Sequence, residues 1–129
     1  MARILVIDDE LDVIRLVVKI LSGCGHDVHT GRDGLEALTL VAADPPDVLV
    51  VDANLPGLDG VEVVRRIKTN PATRHVPVIL MSAAYLSLGD GPAADEYVVK
   101  PFVREVLIAN VERLLKRSLA RPPAPSSTS

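Results

Sequence analysis

Five residues stand where this chain could do chemistry: Asp8, Asp9, Asp52, Ser82 and Lys100. Each comes at the end of a short apolar run. Ile4 to Ile7 leads into Asp8-Asp9, Val48 to Val51 into Asp52, Val76 to Met81 into Ser82, and Tyr97-Val98-Val99 into Lys100. Such runs read as buried strands of a parallel sheet, and in open α/β sheets ligands bind at the carboxyl ends of the strands. Three carboxylates gathered there repel one another and shift their pKa values upward. A hard divalent cation relieves that, and Mg²⁺ takes a few carboxylate or carbonyl oxygens while holding phosphate as well. Lys100 offers a point charge for a phosphate oxygen and Ser82 a hydroxyl donor. A carboxylate can also be a nucleophile that forms an acyl phosphate. The residues point to a Mg²⁺-dependent phosphoryl site with Asp52 as acceptor. Taken singly, Asp52 could cap a loop, Asp8-Asp9 could start a helix, Ser82 could end a strand and Lys100 could be solvated. Their shared position at strand ends is what sets the bland readings aside.

The elements that must position them alternate. Leu11 to Leu21 has helical spacing, with Ile14, Val17, Val18 and Leu21 on one face and Arg15 and Lys19 on the other. The acidic residues before it suit its positive end, and Gly23 and Gly25 stop it. His26 to Thr30 reads as a short strand. Asp33 can cap a helix that runs to about Ala43, ended by Asp44-Pro45-Pro46. After the central strand, Leu55-Pro56-Gly57 leads into a helix over about Leu58 to Thr69. Its buried stripe is Val61, Val64 and Ile67, with Arg65, Arg66 and Lys68 facing water. Asp95 to Val99 is the last strand. The last helix runs from about Val103 to Leu119, with Val103, Val106, Leu107, Asn110, Val111 and Leu114 at core spacing. Five strands alternating with four clear helices imply a doubly wound α/β fold with a parallel sheet. Residues 1–119 form one domain, and 120–129 a disordered tail rich in Pro and Ser.

Composition narrows the function. The chain is 129 residues long, 48% apolar and 24% charged, which suits one soluble domain with a real core. A net charge of -3 leaves no basic footprint for nucleic acid, and three aromatics give no base-stacking platform. The single Cys24 excludes an internal disulfide and suits a cytoplasmic location. No apolar stretch is long enough to span a membrane, and Asp8-Asp9 interrupts the first run too early for a signal peptide. Gly23-Cys24-Gly25 follows a helix and precedes a strand, the reverse of what pyrophosphate binding needs. His26 and His29 fall on opposite faces of their strand, so no metal site forms with Cys24.

Together, Asp8-Asp9, Asp52 with Leu55-Pro56-Gly57-Leu58-Asp59-Gly60, Ser82-Ala83, and Asp95 to Phe102 with its Lys100-Pro101 resemble a response-regulator receiver domain. The resemblance covers about residues 2 to 119. It implies a flavodoxin-like sheet of order 2-1-3-4-5. It implies that Asp52 takes a phosphoryl group from a histidine kinase or histidine phosphotransfer protein. Asp8, Asp9 and the backbone carbonyl of Asn54 would hold Mg²⁺ along with Asp52, and Lys100 would pair with the phosphoryl group. Ser82 and Tyr97 would be the switch residues, and the Lys100–Pro101 peptide would be cis. Asn54 and Ala84 occupy the positions that commonly tune dephosphorylation. One departure stands out. Ser82 to Lys100 is about one helical turn shorter than usual and contains Gly89, Gly91 and Pro92, so the fourth helix of the family is expected to be short or irregular.

The reading is a stand-alone response regulator of a two-component phosphorelay, a signalling domain rather than an enzyme, with only self-catalysed phosphotransfer and dephosphorylation. Output would pass to a downstream protein target, to onward phosphotransfer or to a phosphorylation-dependent dimer, with no direct contact to nucleic acid or membrane. Two rivals fit the residues less well. An aspartyl-phosphate phosphatase of the haloacid-dehalogenase type needs a second Asp two residues after the nucleophile, where this chain has Asn54. A receiver-like scaffold working without phosphorylation would not need its full acidic pocket.

Overall fold

The computed structural model describes residues 2–83 and 94–120. The segment 84–93, which carries most of the expected short helix and Ala84, and the tail 121–129 lie outside them. Five strands and four helices are described. They are β1 (Arg3–Ile7), α1 (Leu11–Gly23), β2 (Asp27–Gly31), α2 (Gly34–Ala43), β3 (Val48–Asp52), α3 (Gly60–Thr69), β4 (Val78–Ser82), β5 (Glu96–Val99) and α4 (Arg104–Ala120). The sheet is parallel throughout, in the order β2-β1-β3-β4-β5 expected from the sequence.

Composition explains the order. Every residue of β3 and β4 is buried, and both strands are nearly free of polar side chains before their last residue. They can only be interior strands, covered on both faces. β2 carries Asp27, His29 and Thr30 and is mostly exposed, which only an edge tolerates. Strand alternation then builds two cores. Ile4, Val6, Val48, Val50, Ile79 and Met81 face α1 and α4. Leu5, Ile7, Leu49, Val51, Val78 and Leu80 face α2 and α3. Each fully buried aliphatic side chain contributes about 1.5–3 kcal/mol of transfer free energy. The two apolar layers thus set the register that brings the strand ends level.

The helices differ from the sequence reading at their margins. In α1 Ile20 is buried where Val18 was expected, and Val18 is half-buried. α3 begins two residues late, because Asp59 caps it by accepting a hydrogen bond from Glu62 N at 2.9 Å. That shift puts Val63 in the core beside Val64 and Ile67, with Val61 only half-buried. Lys68 does not face water: its Nζ donates to the Val76 carbonyl at 2.6 Å and pairs with Asp95 at 2.8 Å. In α4 Leu107, Asn110, Val111 and Leu114 are buried as expected. Val106 and the preceding Val103 are exposed among the described residues. Asp33 caps α2 through Glu36 N at 2.8 Å, as its position predicts.

Candidate functional site

Parallel register assembles the site. Ile7 pairs with Val51, Asp52 with Met81 and Ser82 with Val99. Asp8 and Asp52 therefore come level on adjacent strands, and Lys100 follows one residue beyond the partner of Ser82. One carboxylate oxygen each from Asp8, Asp9 and Asp52 lies within 4.8 Å of the other two. Asp8 is fully buried, Asp52 nearly so, and Asp9 is exposed.

Lys100 is the counter-charge. Its Nζ lies 2.8 Å from Asp8 Oδ2 and 2.9 Å from Asp52 Oδ1. The backbone N–H of Lys100 donates to the Ser82 carbonyl at 2.7 Å, so β4 fixes the root of the side chain. The Lys100–Pro101 peptide is cis, as the resemblance implies. The other Asp8 oxygen accepts a hydrogen bond from Glu10 N at 2.9 Å. A carboxylate at such depth persists only when paired and hydrogen-bonded.

Burial is the main force on Asp52, and it pushes its carboxyl above the ordinary aspartate range. The hydrogen bond from Lys100 pulls the other way, and the charges of Asp8 and Asp9 add to the rise. For Lys100, burial disfavours the ammonium, but hydrogen bonds to Asp8 and Asp52 more than reverse it and hold its pKa above the usual lysine value. The pocket is thus a cluster of excess negative charge around one ammonium. The donor set, all oxygen and all carboxylate, suits a hard cation such as Mg²⁺.

Of the other residues expected at the site, Ser82 ends β4 and is buried. Tyr97 lies on β5, half-buried against the α2–α3 core. Asn54 is exposed, two residues beyond Asp52 in the loop to α3. Two neighbours of the pocket were not singled out from the sequence. Glu10, adjacent to Asp8-Asp9, lies 3.5 Å from Lys100 through its Oε1. Arg32, in the loop after β2, donates to the Asp9 carbonyl at 3.2 Å. Glu10 had a signal in its adjacency to the acidic pair; Arg32 had none.

The loop after Asp52 is built to let α3 approach. Gly57 adopts φ 72°, the left-handed region, and turns the chain. Gly60 N donates to Ala53 O at 2.9 Å, and a Cβ on Gly60 would sit 1.9 Å from the Asp52 carbonyl oxygen. The oxygen is backbone and a Cβ is fixed rigidly to its Cα, so neither can rotate away. Gly60→Ala is expected to cost about 2 kcal/mol or more, because relief requires shifting α3 or the end of β3. Urea denaturation measures this, and wild-type stability in the variant would show that α3 shifts freely.

Comparison with known proteins agrees with this geometry. The family model for the response regulator receiver domain matches residues 4–112. The response regulator MprA of Mycobacterium avium is 38% identical over 120 residues, covering 90% of this chain and 52% of the relative. The chain thus spans about half the length of that relative. The receiver domain of a signal transduction histidine kinase from Syntrophus aciditrophicus superposes with a TM-score of 0.88 at 26% identity, covering 98% of this chain and 99% of that one. The receiver domain of the sensor histidine kinase PA1611 from Pseudomonas aeruginosa, solved with a magnesium ion coordinated in its active-site cleft, gives 0.83 at 26% identity, covering 89% and 98%. With the fold, the acidic pocket and the matched family model in agreement, the chain belongs to the response-regulator receiver family.

Proposed function

We propose that this receiver accepts a phosphoryl group on Asp52 from a histidine kinase or histidine phosphotransfer protein, with Mg²⁺ bound, and passes the resulting change of surface to a protein partner. The observation that carries it is the position of Lys100, 2.9 Å from Asp52 and 2.8 Å from Asp8 in a pocket of three carboxylates. An ammonium held there stands ready for a phosphoryl oxygen as soon as Asp52 becomes an acyl phosphate. In the transfer, an Asp52 carboxylate oxygen bonds to phosphorus, the donor's N–P bond breaks, and the imidazole leaves with the electron pair. When bound, Mg²⁺ supplies positive charge to the phosphoryl oxygens. Asp8 and Asp9 would hold it with Asp52, and the Asn54 carbonyl would complete the protein ligands. Ser82 and Tyr97 would carry the change outward, Ser82 from the end of β4 and Tyr97 from β5.

Intact-mass spectrometry after incubation with acetyl phosphate, with and without Mg²⁺, tests the acceptor chemistry. A single phosphoryl adduct that needs Mg²⁺ is expected. No adduct on folded, Mg²⁺-binding protein would turn the reading to a scaffold that works without phosphorylation.

For the donor we propose the groove of about 680 Å³ lined by Leu16, Lys19, Ile20, Gly23, Phe102 and Arg104. Phe102, which lines it, follows Lys100 by two residues in the sequence, and Leu16 in it is about half exposed. Leu16→Glu is expected to slow transfer from a phosphorylated histidine phosphotransfer protein about tenfold, the scale of one good apolar anchor, while labelling by acetyl phosphate stays unchanged. Equal rates with the protein donor would place docking elsewhere. Among the described residues no helix is long and apolar enough to cross a membrane. The exposed free thiol of Cys24 suits the reducing cytoplasm we propose as the location.

A further inference from the structure

Glu10 sits at the N-cap of α1 in an extended conformation, φ −93° and ψ 114°, and its side chain makes no capping hydrogen bond. Short side chains serve that position because they reach the free N–H groups of the first turn. Asp33 and Asp59 do so for α2 and α3. At α1 the longer carboxylate turns instead to Lys100, with Oε1 3.5 Å from Nζ and the side chain 64% exposed. The residue is poor for the helix and placed for the pocket.

An ammonium has three N–H donors and no acceptor. Asp8 and Asp52 are within 2.9 Å of Lys100 Nζ, and Glu10 is the third carboxylate in reach. A phosphoryl oxygen arriving on Asp52 must therefore displace one of them. Asp8 is fully buried and fastened by Glu10 N, and Asp52 is itself the acceptor. Glu10 is the farthest and most exposed of the three.

We propose that Glu10 is a positioning residue that holds the third N–H of Lys100 until a phosphoryl group replaces it, and so sets how readily anionic phosphodonors are accepted. This deepens the reading of Asp52 as acceptor and rests on it. With acetyl phosphate, an Asp52 oxygen bonds to phosphorus, the bond from phosphorus to the acetyl oxygen breaks, and acetate leaves with the electron pair. Nothing is oxidised or reduced. A neutral residue at position 10 frees the N–H and removes a like charge from the path of the donor.

The test is the rate of adduct formation at saturating Mg²⁺ in wild type, Glu10→Gln and Glu10→Ser, with acetyl phosphate and with the less negatively charged phosphoramidate. Acetyl phosphate is expected to label both variants about threefold faster, the scale of one exposed ion pair, with a smaller gain for phosphoramidate. The gain should shrink at about 1 M salt, where the screening length is about 3 Å. Glu10→Ser, which supplies the missing cap, should also melt higher. A purely structural role would move stability without separating the two donors. Wild-type rates in Glu10→Gln, or equal acceleration with both donors, would overturn the proposal. A wild type that takes no adduct would sink the acceptor reading itself, whereas a labelled wild type with an unchanged Glu10→Gln removes Glu10 alone.

Discussion

Asp52→Asn is expected to take no phosphoryl adduct from any donor and, in the absence of Mg²⁺, to be more stable than the wild type at neutral pH. The first result follows from chemistry, since an amide oxygen is too weak a nucleophile to replace the carboxylate. The second follows from the pocket. Burial and the charges of Asp8 and Asp9 hold the Asp52 carboxyl above its ordinary range. A group whose folded pKa is raised in this way penalises the folded state at pH values above it, and the penalty fades as the pH falls through it. Asparagine keeps the shape and removes the charge, and Lys100 retains Asp8 and Glu10. The gain should be largest at neutral pH, where the wild-type carboxylate is charged. It should shrink steadily toward acid pH. Mg²⁺ should reverse the order, because it stabilises the wild type by mass action and has lost a ligand in the variant. Urea denaturation at several pH values, in chelator and in Mg²⁺, measures all three arms. A less stable Asp52→Asn in chelator at neutral pH would show that Lys100 compensates Asp52 fully. An adduct that persists would move the acceptor to another carboxylate.

Lys100→Met is expected to lose most of the phosphotransfer rate and much of the metal-free stability. An ammonium beside the transferring phosphoryl group is worth about 10²–10³ in rate, by analogy with preorganised donors elsewhere. Its removal also leaves Asp8, with no exposed surface, and Asp52 without their counter-charge. Breaking a buried pair by deleting one partner costs about 3–5 kcal/mol, and the pocket's opening to solvent at Asp9 puts the expected loss near the lower end. The loss should be largest at neutral pH and small once the carboxylates are protonated. Mg²⁺ should restore most of the stability and little of the rate, because a cation answers the charge but not the position of the ammonium. In the wild type, the raised Lys100 pKa gives the matching alkaline limb. Its contribution is complete below the ordinary lysine value and is lost as the pH rises through the raised one. A Lys100→Met protein as stable in chelator as the wild type would mean that the pocket carboxylates take up protons instead.

The parts of the fold legible in the sequence are those where one force acts alone. β3 and β4 are unbroken apolar runs, and nothing but a doubly covered strand accommodates them. Carboxylates that end such runs must share an edge, so Asp8, Asp9, Asp52 and Lys100 could be brought together before any coordinates. Helix margins were less legible, because two neighbouring apolar residues compete for one stripe. Val61 and Val63 are both valines, and the choice between them turned on where Asp59 capped α3. Val103 and Val106 fit the helical period but are exposed among the described residues, and period alone does not tell a covered apolar position from an uncovered one. Lys68 reads as a surface residue because its partner Asp95 is distant in sequence. Glu10 and Lys100 are separated by 90 positions, and a long side chain that can either cap or reach away gives no local sign of which it does.

β5 is fastened to β4 at both ends. At its entry the Asp95 carboxylate accepts from Val78 N at 2.8 Å and pairs with Lys68, and Asp95 N donates to the Val78 carbonyl at 2.9 Å. At its exit Lys100 N donates to the Ser82 carbonyl. The chain between Ser82 and Asp95 thus leaves and re-enters the sheet at two fixed points on one neighbouring strand. Its length and composition can drift over generations without altering where Lys100 stands. The counter-charge of the pocket is thus anchored on β4 itself, and a change of sequence between Ser82 and Asp95 is expected to leave it in place.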